Sequence, residues 1–197
     1  MLADDREREV GSRVTDSTCM GCGLTFPATA GPRHPYMTAS PECWSSYSLL
    51  LAAQYSDPKR MAFHQLVVDA YAVQHPGSPD PEPDPRAVQS VSIHLMTLCL
   101  FLEFGTDPAL GTRLHRAMAA RPVFTYLPAP SSLSDRTHAD VPRDGDVDVA
   151  RVAANEWAQS AWSLWSDYHP VVRSWLATAE LLPSRHRRPG PTSHGFV

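Results

Sequence analysis

Residues 86–104 read RAVQSVSIHLMTLCLFLEF, and this stretch decides the fold. At helical spacing, Val91, Ile93, Leu95, Met96, Leu98, Leu100, Phe101 and Leu102 leave almost no polar face. That is the pattern of a central helix surrounded by others. No window holds about 18 uninterrupted apolar residues, so no membrane-spanning helix is expected.

Working outward, Ser40 caps a helix that opens on Pro41 and runs to about Gln54 or Tyr55. A second helix covers roughly Pro58 to Gln74 and stops at His75-Pro76-Gly77. Ser78 to Pro85, in which proline alternates with other residues, reads as a stiff extended linker. Beyond the central helix, a short helix spans about Pro108 to Ala120, and Pro122 to Asp148, with four prolines, reads as a long loop. A last helix starts near Val149, meets a kink at His169-Pro170 and resumes to Leu181. No strand and no internal repeat is expected. The fold class is mainly α, an irregular four- to five-helix bundle with an N-terminal CxxC metal-knuckle segment and a long proline-rich loop. Residues 18–182 form the domain, with a disordered N-terminus over 1–17 and a disordered tail over 183–197.

Composition narrows the function classes. The 197 residues are 43% apolar, enough for a real core, and 19 prolines against 10 glycines mark long stretches that cannot be helix or inner strand. Net charge is −4, and Lys59 is the one lysine among 17 Lys and Arg. Mild acidity argues against a nucleic-acid partner. One basic cluster stands out, Arg185-His186-Arg187-Arg188 in the tail. The N-terminus is charged and lacks the apolar core of a signal peptide, so a cytoplasmic location with no membrane partner is expected. There four cysteines suggest thiols or metal ligands before disulfides.

Cys19-x-x-Cys22-Gly23 offers two thiolates that can bite one metal ion, with glycine letting the backbone turn. Cys43 is the natural third ligand, and His34 or a helical histidine the fourth. A redox pair needs a CxxC that opens a helix after a strand, and ordinary free thiols are the third reading. Cys99, inside the central helix, reads as a small buried hydrophobe. At 100° per residue, His64, Tyr71 and His75 fall on one ridge, whereas Asp69 lies about 140° from His64. His94 sits amid apolar surface, where a ring needs a partner for each nitrogen it buries: a carbonyl, a serine or Tyr71, or else a metal. His75 reads equally as a cap on the end of its helix. The stripe Trp157, Trp162, Trp165, Tyr168 and His169 reads as core, with the His169 ring proton going to a carbonyl freed at the kink. Asp144, Asp146 and Asp148 lack the glutamate that closes a calcium loop. P-loop, GxGxxG, GxSxG and HExxH motifs are absent.

The segments Cys19-x-x-Cys22-Gly23, His34-Pro35-Tyr36-Met37, Ser40-Pro41-Glu42-Cys43-Trp44, the run VDAYAVQHPG at 68–77 and QSVSIHL at 89–95 resemble a family of small bacterial proteins of unknown function, over about residues 19–175. The resemblance implies shared membership and carries no activity, cofactor or site residue.

Two functions follow from the residues. The first is a metal-dependent enzyme of small-molecule metabolism, by hydrolase, transferase or oxygen chemistry, with metal ligands among Cys19, Cys22, Cys43, His34, His64 and His94. Tyr71, Asp69 and His75 are then its proton-transfer or orienting groups, and zinc, or else iron or copper, its cofactor. The second is a non-catalytic binding or regulatory protein stabilised by a structural zinc site. The number of histidines tips the reading towards the enzyme. Ligand count discriminates: four protein ligands make a structural site, three a catalytic one.

Overall fold

In the computed structural model, which describes residues 15–120 and 124–183, four of the helices begin where the sequence supplies a side-chain cap. Ser40 accepts from the Cys43 amide at the head of α1 (Pro41–Tyr55), and Pro41 fills the first turn. Asp57, Asp84 and Asp146 do the same for α2 (Pro58–Met61), α4 (Pro85–Leu102) and α6 (Val147–Leu164). The remaining helices are α3 (His64–Gln74), α5 (Gly111–Ala119) and α7 (His169–Thr178). The fold is mainly α. Of the mobile ends expected over 1–17 and 183–197, residues 1–14 and 184–197, the basic cluster among them, lie outside the described residues, whereas Asp16 and Ser17 lie in a strand.

Two expected helices each split, so the described residues hold seven α-helices where four or five were expected. The 58–74 helix breaks at Phe63, whose φ of −116° and ψ of 10° leave the helical region and turn its ring into the core. The last helix breaks at Trp165, and the His169 ring nitrogen donates to the Trp162 carbonyl at 3.1 Å, as the kink requires. The expectation of no strand fails at the N-terminus. β1 (Asp16–Thr18) pairs antiparallel with β2 (Thr25–Pro27), Ser17 opposite Phe26. Three-residue strands carry too little alternation to be read from sequence.

Helix α3 lies between α4 and α6, and α4 also packs on α5 and α7. Ala150, Ala154, Ala158 and Ala161 are fully buried along α6. Small side chains there let α6 approach α3 closely while Trp157 and Trp165 fill the flanks. Both indoles are buried with partners: Trp157 donates to Gln74 Oε1 at 2.9 Å, Trp165 to the Val73 carbonyl at 3.2 Å. By length and mean hydropathy (1.2) α4 could cross a bilayer, but 61% of that window is buried within the protein. It is the core helix that its apolar circumference foretells.

The long loop is pinned from beneath. Arg60, buried at the end of α2, donates to the carbonyls of Pro142 at 2.8 Å and Gly145 at 3.0 Å. Replacing it by Leu leaves both acceptors without a charged donor. Arg60→Leu should cost about 2–3 kcal/mol in urea unfolding and speed proteolytic cleavage within 142–146. Unchanged stability and unchanged cleavage would show that the grip is idle.

Candidate metal centre

The hairpin turns through the CxxC motif. The Cys19 amide donates to the Leu24 carbonyl and the Gly23 amide to the Cys19 carbonyl, each at 2.8 Å. Gly23 takes φ +76°, the left-handed conformation that glycine adopts without strain. Both sulfurs thereby face one side of a tight knuckle. A strand does precede the CxxC, but the chain then turns into β2 rather than a helix, so the arrangement lacks the helix N-terminus that activates a redox pair.

Glu42 anchors the knuckle to α1: its carboxylate accepts from the Thr29 amide at 2.7 Å and from the Ser17 hydroxyl at 3.2 Å. One residue on, Cys43 presents its sulfur from the first turn of α1. Cys22 Sγ and Cys43 Sγ stand 3.7 Å apart, and His75 Nε2 is 3.4 Å from Cys43 Sγ. Ligand atoms of Cys19, Cys22, Cys43 and His75 all lie within 4.8 Å of one another, and the four residues are 0–4% exposed. Around a tetrahedral ion with Zn–S of about 2.3 Å and Zn–N of about 2.0 Å, sulfurs sit about 3.8 Å apart and sulfur to nitrogen about 3.5 Å. The Cys22–Cys43 and Cys43–His75 separations match those spacings, and the cluster could hold a metal ion.

His75 is prepared for ligation. Its Nδ1 lies 2.8 Å from the Tyr71 carbonyl, which can only accept, so Nδ1 carries the proton and Nε2 offers its lone pair to the sulfurs. The ring thus does both things expected of it, closing the end of α3 and facing the thiols. Gly21 permits the approach: a Cβ there would enter the space of His75 Cδ2 and stand 2.8 Å from the Gln74 carbonyl.

Electrostatics asks for a cation. Hydrogen bonds from the Cys22 and Cys43 thiols favour the Cys19 thiolate and draw its pKa far down. The same sharing with Cys19 pushes Cys22 up to about 11, and raises Cys43 further with help from Cys22 and burial. Protein groups alone therefore sustain one thiolate of the three. A bound cation deprotonates the others.

Other expected site residues fall elsewhere. His34 packs its ring against Tyr36 and Trp44, with centroids 4.4 and 4.8 Å away, and does not reach the sulfurs. His64 bonds Gln54 Oε1 at 2.8 Å at the opposite end of α3. The ridge through His64, Tyr71 and His75 thus serves two places, because its ends are eleven residues apart. Tyr71 borders the sulfurs, its hydroxyl 3.5 Å from Cys43 Sγ and its ring stacked on Tyr47 at 3.6 Å. Burial, and then the sulfur beside it, push that hydroxyl far above the ordinary tyrosine range. It can donate to a thiolate and does not ionise. Asp69 and His94 meet at 2.6 Å, joined by His115 at 3.2 Å, about 200° round α3 from Tyr71. His115 and His138 escaped the sequence reading. The first lies on a short amphipathic helix where a lone histidine is unremarkable, the second in the long loop. His138 bonds Ser46 Oγ at 3.0 Å beside the Tyr47–Tyr71 stack, and burial lowers its pKa to about 4.

Gly21→Ala tests the fit of knuckle to imidazole. The added methyl must displace the His75 ring, so competition against a chromophoric chelator should show metal held at least about tenfold more weakly. Affinity equal to wild type would mean that His75 is not a ligand.

No curated protein and no solved structure matches the chain. The sequence profile of DUF5946, a family of unknown function, matches residues 17–166, a span that takes in the hairpin but for Asp16, all four residues of the cluster and helices α1 to α6. The chain belongs to that family.

Proposed function

We propose that the protein is a non-catalytic binding or regulatory protein whose Cys19, Cys22, Cys43 and His75 hold a structural zinc ion. The closed ligand shell carries this reading. Four protein atoms from the knuckle, the head of α1 and the end of α3 lie within 4.8 Å of one another, enough to fill a tetrahedral shell, whereas a catalytic zinc keeps one position open. Three thiolates and one imidazole suit zinc, whose filled d shell accepts a tetrahedron and which has no redox chemistry to expose. A metal-dependent enzyme would need substrate to reach the ion. The groove of about 450 Å³ that passes Met20, Tyr36, Asp80 and Glu82 runs outside the knuckle, and none of the four ligands lines it.

Such an ion joins a hairpin with almost no core of its own to the helices. Two three-residue strands are far below the size that is stable alone. Their order comes from Glu42 and from the metal. The net charge of −4 supports a partner other than nucleic acid.

X-ray absorption at the metal edge of the purified protein checks the shell directly: three sulfurs and one nitrogen are expected, with no water. Removing the ion should lower the thermal midpoint by about 10–20 °C, corresponding to about 5 kcal/mol lost in a chain of this size. A shell with an open, solvent-filled position would restore the enzyme reading. A metal-free wild type of full stability would end both.

A further inference from the structure

A second polar cluster lies across α3. Asp69 comes from α3, His94 from α4 and His115 from α5, and their ligand atoms all lie within 4.8 Å of one another. Asp69 Oδ1 receives His94 Nδ1 at 2.6 Å, His115 Nε2 at 3.2 Å and the Gln65 amide at 2.8 Å. The two imidazoles stand nearly perpendicular, at 76°, with centroids 4.7 Å apart. Thr97 Oγ1, which gives its proton to the carbonyls of Ile93 and His94, adds an acceptor 3.3 Å from His115 Nε2.

Hydrogen bonding explains half of this arrangement. Asp69 is fully buried, and three neighbours crowd one of its oxygens while Oδ2, equally buried, has no hydrogen-bond partner. A buried carboxylate oxygen left unpaired is costly, and natural cores seldom tolerate one without a use for it. Burial pushes the carboxyl pKa up, but the bonds from His115 and His94 outweigh burial and hold it below the usual range. The site therefore presents a fixed negative charge, one free oxygen lone pair and two imidazoles. It also touches solvent, unlike the sulfur cluster: the His94 and His115 side chains are 13% and 23% exposed.

We propose that Asp69, His94 and His115 form a second, open site for a divalent first-row transition metal. Two imidazoles and a carboxylate on three separate helices are a borderline-hard ligand set suited to such ions, and three protein ligands leave positions for water or a small anion. Cis ligands about 2.1 Å from an octahedral ion stand about 3.0 Å apart. The spacing from Asp69 Oδ1 to His115 Nε2 already fits, and that from Oδ1 to His94 Nδ1 opens by less than half an ångström. A ring nitrogen that ligates would give its lone pair to the ion, with the ring proton on the other nitrogen. Gln65 holds the carboxylate from the side, and Gly111, where any Cβ would collide with the Gln65 side chain, makes room for it. The two sites are independent: this one contains no sulfur and stands or falls apart from the zinc reading.

Cobalt(II) separates them, because only the cysteine centre can give thiolate-to-cobalt charge transfer. Titrated with cobalt, the full-length apoprotein should take up one equivalent with that band and a further equivalent showing only weak d–d absorption. His115→Ala, on the partly exposed α5, should weaken the further equivalent about a hundredfold and leave the thiolate band intact. Asp69→Asn, with circular dichroism to confirm the helices, should act alike. Uptake that ends with the thiolate-bound equivalent in wild type overturns the proposal, as does a His115→Ala protein with unaltered affinity and spectrum. Cys22→Ser should remove the thiolate band while the weak spectrum persists, so failure at one centre is told apart from failure at the other.

Discussion

The imidazole of His75 is the joint on which the N-terminal half depends. One nitrogen is committed to the carbonyl of Tyr71, four residues back, and the other faces three sulfurs. That orientation converts the end of α3 into a ligand and fixes where the knuckle must sit. Gly21 lies against the ring because no side chain could. Cys43 reaches it because Ser40 caps α1 and starts the helix at the right residue. Each of these is a local rule of chain geometry, and together they bring residues 19, 22, 43 and 75 into one buried shell.

Apolar periodicity made the helical core legible. Residues 86–104 announced the central helix, and the caps at Ser40 and Asp84 fix its start and that of α1 to within a residue or two. The breaks at Phe63 and Trp165 were hidden because tertiary contacts make them: a ring buried in the core in one case, a ring nitrogen claiming a carbonyl in the other. The hairpin was hidden for a different reason. Its pairing is enforced by the turn between Cys19 and Gly23 and by Glu42, and not by alternation within either strand.

For the candidate metal centre, thiol spacing pointed to three residues that the fold brings together, while the choice among histidines could not be made from the sequence. His34 is nearer along the chain, yet an aromatic pair claims its ring. His75 read as a helix stop, which it is, and nothing in the letters says that a capping ring can also ligate. The arc of 140° between His64 and Asp69 correctly set them apart, but Asp69's own partners needed α5, a helix with no feature to draw the eye to His115.

Helix α3 carries the two polar clusters on different sides, about 120° apart from Asp69 to His75, with Gln65, Asp69, Tyr71 and Gln74 all buried along eleven residues. Adding or deleting a single residue between Asp69 and His75 would turn everything beyond it by about 100° and uncouple one centre from the other. Drift in length is therefore barred from this element and left to the linker at 78–85 and the loop after α5. Among related chains, the spacing from Asp69 to His75 should behave as a ruler while the surrounding loops stretch and shrink.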